Sequence, residues 1–248
     1  MNRPTGSFVI AGMDAAELPV PPDGVRPGQL GVIATGRVIL GDIAATIVDL
    51  SLRGFLQIDG TGGAAGDWLL TLAEPPQDGQ DPLEYERVLL EWMARPGYTT
   101  SLTSLATDLP AGLAEVRESL VRDAVHHGWL RRMHHHEQTK AGEELASQLR
   151  AFRQELRSAK AERGPEILDG QLLPYALHFG LARPDHPLAR FAHAWVATFA
   201  KLPEWRAPAR WRTDSEYDAG IRPAARKRTL DEDIMSSDVG AMLWVTSW

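Results

Sequence analysis

The 248-residue chain contains no cysteine. Disulfide bridges, zinc sites built from thiolates and cysteine nucleophiles are therefore excluded, and the composition fits a reducing compartment. The sequence also lacks an apolar run of the roughly 20 residues that a membrane-spanning helix needs. No long apolar core follows a basic start at the N-terminus, so we expect neither a secretory signal nor a membrane span, and we predict a cytoplasmic protein.

Basic residues are scarce in the first part of the chain. Residues 1–100 contain 6 Lys+Arg and 13 Asp+Glu, a net charge of −7, whereas residues 101–248 contain 20 of each sign. Phosphate binding needs clustered positive charge, so this imbalance argues against DNA binding by the first part of the chain. The hydrophobic fraction of 44% and the charged fraction of 24% are otherwise those of a globular protein.

Motifs of the common enzyme classes are also missing. The sequence has no Gly-x-Ser-x-Gly, no His-Glu-x-x-His and no dinucleotide-binding fingerprint. Residues 60–66 are rich in glycine, whose backbone amides can cradle a phosphate. A strand rather than a helix is expected after them, without a Lys-Ser/Thr pair, so we interpret this stretch as the tip of a hairpin. We therefore expect a protein that is not an enzyme and needs no cofactor.

One local pattern occurs twice in the sequence. Residues 42–58 and residues 113–133 each read as a helix that stops at a glycine, Gly54 or Gly128, and then turns into a strand that begins with an aromatic residue and leucine. Glycine is typical of the left-handed residue that ends many helices. A helix that leads directly into a hairpin is typical of a winged helix.

The first of these two helices is expected to begin at Asp42, which would cap it. Ile43, Ile47 and Leu50 recur at helical spacing and are predicted to face the core. Asp42 and Asp49 are expected to face outward, which gives this helix an acidic outer surface.

Apolar periodicity predicts the remaining elements. Strands are expected over residues 55–58, 67–72 and 129–133, and residues 98–105 form a short, β-branched, strand-like stretch. Helices are expected over residues 82–94, 139–157, 167–181 and 188–202, with a short helical segment over residues 29–35 and a polar link over residues 158–166.

Together these elements predict a helix-rich α+β protein of two tandem winged-helix-like units with a C-terminal helical cap and an irregular tail. The expected segments are an extended lead-in (1–27), the first winged-helix-like unit (28–75), a linker and connecting helix (76–97), the second winged-helix-like unit with its long helix (98–158), a two-helix cap (159–202) and an irregular C-terminal arm (203–248).

Three segments carry distinctive motifs. The first is an Asp-Ile-xxx-Thr-xx-Asp-Leu-xx-Arg-Gly-aromatic-Leu run, made of Asp42, Ile43, Thr46, Asp49, Leu50, Arg53, Gly54, Phe55 and Leu56. The second is a helix over residues 142–156, and the third is Leu-Pro-Tyr-Ala followed by glycine over residues 173–180. In this order they resemble the cytoplasmic domain of a family of predicted bacterial membrane proteins of unknown function, which has glycine where this chain has Ala151.

The resemblance implies a fold rather than an activity, because the family has no established function. Its members carry membrane helices and a secreted-side domain, and neither is present in this sequence. The chain is then either a free-standing relative or a domain recruited to another pathway.

We expect a non-enzymatic protein- or peptide-interaction protein, or scaffold, of unknown pathway. Winged helices bind extended peptides by strand addition at the wing. A setting in the maturation of peptide natural products rests on fold analogy alone. The expected partner-binding residues lie on the first wing and in the C-terminal arm, whose tryptophans dock either on a partner or on the body: Phe55, Gln57, Trp68, Trp244 and Trp248.

A DNA-binding winged-helix regulator is the first alternative. Arg117, Arg122, Arg131 and Arg132 of the second unit could meet phosphates. The same helix also carries Glu115, Glu118 and Asp123, which oppose phosphate binding. We therefore expect a protein partner and no nucleic acid.

A metal-binding protein is the second alternative. Five of the eight histidines fall within residues 126–136, and His127, His134 and His136 could act as ligands. Consecutive histidines on a strand point to opposite faces, so at most two of the last three could meet one ion. The competing interpretation is a solvated edge of the second wing.

Overall fold

The computed structural model describes residues 18–22, 24–62, 67–76, 80–93, 98–108, 110–131 and 137–202. Within them the chain forms eight α-helices and one three-stranded antiparallel sheet, which confirms a helix-rich α+β fold. The helices are α1 (Leu30–Thr35), α2 (Leu40–Leu52), α3 (Glu84–Met93), α4 (Leu102–Asp108), α5 (Pro110–His126), α6 (Lys140–Arg163), α7 (Leu173–His178) and α8 (Pro187–Phe199), and the strands are β1 (Leu56–Gly62), β2 (Asp67–Leu72) and β3 (Thr99–Ser101).

Helix α2 lies at the centre of the fold. The predicted inner residues Ile43, Ile47 and Leu50 are fully buried, as expected from their spacing. The expectation that Asp42 and Asp49 face outward is wrong: Asp42 is fully buried, and the side chain of Asp49 is only 13% exposed. Helices α7 and α8 and the 3₁₀ turn before α1 all pack on α2, so it is enclosed on more sides than an amphipathic surface helix.

The start of α2 also differs from the prediction. The helix begins at Leu40, and Ile39 occupies the position before its first turn. Asp42 therefore lies in the third helical position, where its Oδ2 accepts a hydrogen bond from the Ile39 N–H at 2.8 Å. An acidic side chain in the first turn satisfies a backbone donor that the helix itself leaves unpaired.

The two Gly-aromatic-Leu sequences make the same turn at the ends of α2 and α5. Gly54 has a φ of 85° and Gly128 a φ of 73°, the left-handed conformation that glycine adopts readily. The Phe55 N–H donates to Leu50 O and the Trp129 N–H to Ala124 O, each at 2.9 Å across five residues. Both helices thus end in a Schellman motif, as the glycines predict.

The sheet has the strand order β1-β2-β3. Strands β1 and β2 form an antiparallel hairpin with the register Leu56↔Leu72, and β3 pairs with β2 through Leu70↔Thr100. Strand β3 ends sooner than the strand-like stretch over residues 98–105, because α4 begins at Leu102. Leu102 and Leu105 are both buried, a spacing of three that suits a helix and not a strand.

The second hairpin is described only at its base, because residues 132–136 lie outside the described ranges. There Leu130 and Gln138 form an antiparallel bridge, and the Arg131 N–H donates to Glu137 O at 2.9 Å. The Gln138 side chain donates to Ile33 O and Ala34 O at the end of α1, which ties this hairpin to the N-terminal helix.

The polar link expected over residues 158–166 is largely helical, because α6 continues to Arg163. Ala159 is buried on that extension, so its last turns pack rather than project into solvent. The helix expected over residues 167–181 is instead two 3₁₀ turns (Pro165–Leu168 and Gly170–Leu172) followed by the short α7.

Aromatic side chains close the core between α3, α8 and the sheet. Trp195 is fully buried, and its ring centroid lies 6.0 Å from Trp92 and 4.2 Å from Phe199. Trp68 of β2 meets Phe191 edge to face at 5.6 Å. None of the helices in the described ranges is long and apolar enough to span a membrane. The predicted C-terminal arm and most of the lead-in lie outside those ranges.

Candidate functional site: the outer edge of the sheet

Strand β1 forms one edge of the sheet. The Ala73 N–H donates to Phe55 O at 3.0 Å, and the register continues through Gln57↔Thr71 and Asp59↔Leu69. Hydrogen-bonded pairs alternate along an antiparallel ladder, so the backbone N–H and C=O groups of Leu56 and Ile58 point away from β2. Leu56 is only 2% exposed, so Ile58 is the residue whose outward backbone groups a further strand can reach.

The two faces of β1 differ in chemistry. Leu56 is buried and Ile58 is half-buried, both on the face that packs toward α8. Gln57 and Asp59 alternate with them and are exposed on the opposite face. Gly60 lies under Trp68, since a Cβ there would come 2.6 Å from the indole ring. A segment added to β1 would therefore meet an apolar face on one side and a polar face on the other.

The predicted partner-binding residues divide between the surface and the interior. Gln57 is exposed and Trp68 is half-buried against Phe191. Phe55 is only 5% exposed, and the Arg53 Cζ lies 5.0 Å from the centroid of its ring. The side chain of Phe55 therefore packs inside the protein. Trp244 and Trp248 lie outside the described residues.

A buried ion-pair group lies between the end of α2 and the start of α3, next to the start of β1. Arg53 Nη1 lies 3.0 Å from Asp49 Oδ2 and 2.9 Å from Glu86 Oε2, and Nη2 donates to Gln80 O at 3.0 Å. Glu86 also accepts a hydrogen bond from the Leu83 N–H at 3.0 Å. The group thereby joins the end of α2, just before β1, to the start of α3.

Burial is the largest influence on the pKa values of the two carboxylates in this group. It raises the pKa of Glu86 above its ordinary value, although the charge and the hydrogen bond of Arg53 act in the opposite direction. The pKa of Asp49 is raised for the same reason and is opposed by the same arginine. Burying the two charged carboxylates therefore costs free energy, and the positive charge of Arg53 offsets part of that cost.

A second buried pair lies at the other end of α2. Asp42 accepts hydrogen bonds from the backbone N–H groups of Gly31 and Ile39, and His178 Nδ1 lies 2.8 Å from its Oδ1. The imidazole contact has the distance of an ion pair without the directional geometry of a hydrogen bond. Tyr175, one turn earlier on α7, donates its hydroxyl to Val25 O at 2.9 Å.

One contact joins two of the motif segments inside the protein. Asp42 of the first segment lies on α2 with Thr46, and His178 of the third segment lies on α7 with Tyr175. The contact between Asp42 and His178 is internal and holds the two helices together.

Two of the four arginines considered for DNA binding lie beside acids. Arg122 lies 2.9 Å from Glu84, and Arg131 lies 3.6 Å from Glu137. Arg117 is half-buried, and Arg132 lies outside the described residues. Pairing within the chain reduces the positive charge that phosphates could meet.

The histidine cluster is described only at its beginning. His127 stacks on Trp129 with 4.5 Å between the ring centroids, and its Nε2 lies 3.6 Å from Asp123 Oδ1. Burial raises the pKa of Asp123, which also accepts a hydrogen bond from Gln29. Among the residues that the structure describes, no three His, Cys, Asp or Glu side chains are grouped to hold a metal ion. His134 and His136 lie outside those residues.

Sequence reasoning missed Ile58 and Asp59 as edge residues. The sequence feature that could have identified them is the alternation Leu-Gln-Ile-Asp at residues 56–59, which is typical of a strand with one buried and one exposed face. It also missed Glu86, a charged residue at the start of the apolar stripe of α3. No protein-family model, curated protein or solved structure matches the chain.

Proposed function

We propose that the protein is a non-enzymatic interaction protein that holds an extended peptide segment of a partner along β1. The observation that carries the proposal is the outward direction of the backbone groups of the half-buried Ile58 at the edge of the sheet. Backbone hydrogen bonds to an edge strand give affinity, and pockets for alternate side chains give specificity.

The surrounding structure suits a scaffold. The Arg53 ion-pair group and the Asp42–His178 contact hold α2 to α3 and α7, so the strand that follows α2 starts from a fixed helix end. A preformed edge lowers the ordering cost of binding. The described contacts link residues far apart in sequence and favour a rigid presenting surface over a mobile one.

A finer description of the fold belongs to the same proposal. We describe the chain as two tandem winged-helix-like units, supported by the identical Schellman turns at Gly54 and Gly128 and by the hairpin that follows each. The relationship to the cytoplasmic domain of the membrane-protein family is likewise proposed, and it is supported by the contact between Asp42 of its first motif segment and His178 of its third. The cytoplasm is the proposed compartment, as the cysteine-free sequence favours.

Site-specific photocrosslinking in the native host tests this function. A benzophenone amino acid replaces Gln57, which is exposed beside the edge, and in a control it replaces Gln148, which is exposed on α6. We expect a defined adduct from position 57 and none from position 148. The adduct must disappear when Ile58→Pro is added, because proline removes the outward N–H, and persist with Ile58→Val, which keeps it.

Two outcomes would overturn the proposal. One is an adduct at position 57 that Ile58→Pro leaves unchanged, since partner binding would then not use the edge. The other is the same adduct from positions 57 and 148, which would indicate nonspecific contact. Circular dichroism and a thermal melt of the Ile58→Pro variant establish that the fold is retained.

A further inference from the structure

The sheet edge lies in a part of the chain that carries charge of one sign. From Gly54 to Glu86 there are seven Asp and Glu residues and no Lys, Arg or His. Arg53, the basic residue just before this stretch, is enclosed by Asp49 and Glu86. The side-chain charges that this stretch contributes beside β1 are therefore negative.

We infer that the segment held on β1 is cationic, with basic and apolar residues in alternation. This inference rests on the proposed function and specifies the chemistry of the partner. Side chains of an added strand point alternately to the two faces of the sheet. Those on the outer face lie beside Gln57 and Asp59, and those on the inner face lie beside Ile58 and the apolar surface that continues toward α8.

Acidic side chains are distributed along the whole hairpin. Asp59 is exposed in the middle of β1, and Glu74 is exposed just beyond the end of β2 that pairs with the start of β1. Asp67, at the other end of β2, accepts N–H hydrogen bonds from Trp68 and Thr103. Slight burial of Asp67 acts to raise its pKa, but the hydrogen bonds from Ser101 and Thr103 lower it, so this carboxylate is ionised at neutral pH. Negative charge at both ends and in the middle favours a segment with several basic residues.

The same charges disfavour two other occupants of the edge. A second copy paired edge to edge would bring one acidic hairpin against another, and like charges across a strand pair are destabilising. A nucleic acid would be repelled for the same reason. An extended peptide with lysine or arginine at alternate positions is the occupant that matches both the backbone pattern and the charge.

Fluorescence anisotropy with three labelled hexapeptides tests the inference on the full-length protein. The peptides are (Lys-Val)₃, (Thr-Val)₃ and (Glu-Val)₃, blocked at both ends, so that they differ only in the charge at alternate positions. We expect (Lys-Val)₃ to bind about tenfold more tightly than (Thr-Val)₃ at low salt, and (Glu-Val)₃ to bind most weakly. Raising the salt concentration to about 1 M, where the Debye length is about 3 Å, should reduce this difference.

Four variants assign the binding to the edge and to its charge. Ile58→Pro should abolish binding and Ile58→Val should preserve it. Thr99→Pro changes the first residue of β3 at the opposite edge, where proline is tolerated, and should leave binding unchanged. Asp59→Lys should reverse the preference between (Lys-Val)₃ and (Glu-Val)₃.

The outcomes separate this inference from the proposed function. If the three peptides bind equally and Ile58→Pro abolishes all binding, the edge function stands and the charge inference is overturned. If no peptide binds, or binding is insensitive to Ile58→Pro and Asp59→Lys, both are overturned. A dimer in light scattering that Ile58→Pro converts to a monomer would show that a second copy occupies the edge, which also overturns the inference.

Discussion

His178 Nδ1 lies 2.8 Å from Asp42 Oδ1, although 135 residues separate them in the chain. Asp42 is fully buried, and its carboxylate also accepts the N–H groups of Gly31 and Ile39. One side chain thus connects α1, the start of α2 and the end of α7. Because α2 leads directly into β1, the position of α2 determines where β1 begins. The contact between Asp42 and His178 therefore helps to hold the proposed binding edge in place.

Replacing Asp42 should weaken the whole fold. Asp42→Ala leaves the N–H groups of Gly31 and Ile39 without their acceptor and removes the carboxylate beside His178, so the free energy of unfolding should fall by about 3 kcal/mol. Asp42→Asn keeps an acceptor oxygen and should cost about half as much. Urea denaturation followed by circular dichroism measures both, and a loss below about 0.5 kcal/mol for Asp42→Ala would contradict this role.

Replacing Arg53 should destabilise the protein in a pH-dependent way. Arg53→Met leaves Asp49 and Glu86 buried without their cation, which should lower the free energy of unfolding by about 3 kcal/mol at neutral pH. The loss should be smaller at about pH 5, where the carboxylates can take up protons instead. Arg131→Met is the control, since Arg131 is mostly exposed beside Glu137 and should change stability by less than about 1 kcal/mol. Equal losses at both pH values would contradict the buried-pair account.

Glu86 should make the protein less stable as the pH rises. Its folded-state pKa is raised above the ordinary value of 4.5, so the folded state holds the proton more tightly than the unfolded state. The resulting stabilisation is fully present below pH 4.5 and is lost as the pH rises through the folded-state pKa. Glu86→Gln removes this titration, so its stability relative to the wild type should improve from acidic to neutral pH. Denaturant midpoints across that range measure it, and a constant difference would refute the prediction.

Gly112→Ala should destabilise α5 despite the higher helix propensity of alanine. A Cβ at this position would lie 1.8 Å from Trp92 Cδ1, so the indole that packs on Trp195 would have to move. We expect a loss of about 1–3 kcal/mol from overpacking. Ala151→Gly is the control on the exposed side of α6, where only propensity acts and glycine should cost about 1 kcal/mol. An increase in melting temperature for Gly112→Ala would show that this packing is not tight.

The sequence predicted those elements whose signals are local. The apolar stripe over residues 82–94 corresponds to α3, and the glycines at positions 54 and 128 end their helices as expected. The burial of Asp42 could not be predicted, because its neighbours come from α1 and α7, which are distant in sequence. The continuation of α6 through a polar stretch depends likewise on packing of Ala159 against the body.

The candidate site was predictable only in part. Alternation along residues 55–58 predicts a strand, and Gln57, predicted to bind a partner, is exposed. That β1 lies at the edge depends on β3 pairing with the other side of β2, and β3 comes from beyond the connecting helix. Which backbone groups point outward follows from the register, which periodicity alone does not specify.

Residue-resolved amide hydrogen exchange with and without the (Lys-Val)₃ peptide tests the central claim most directly. In the free protein, the amides of Gln57 and Asp59 should exchange slowly because they bond to β2, and that of Ile58 should exchange faster. Peptide binding should slow exchange at Ile58 and leave Gln57 and Asp59 nearly unchanged. Unchanged exchange at Ile58 under saturating peptide would contradict strand addition at this edge.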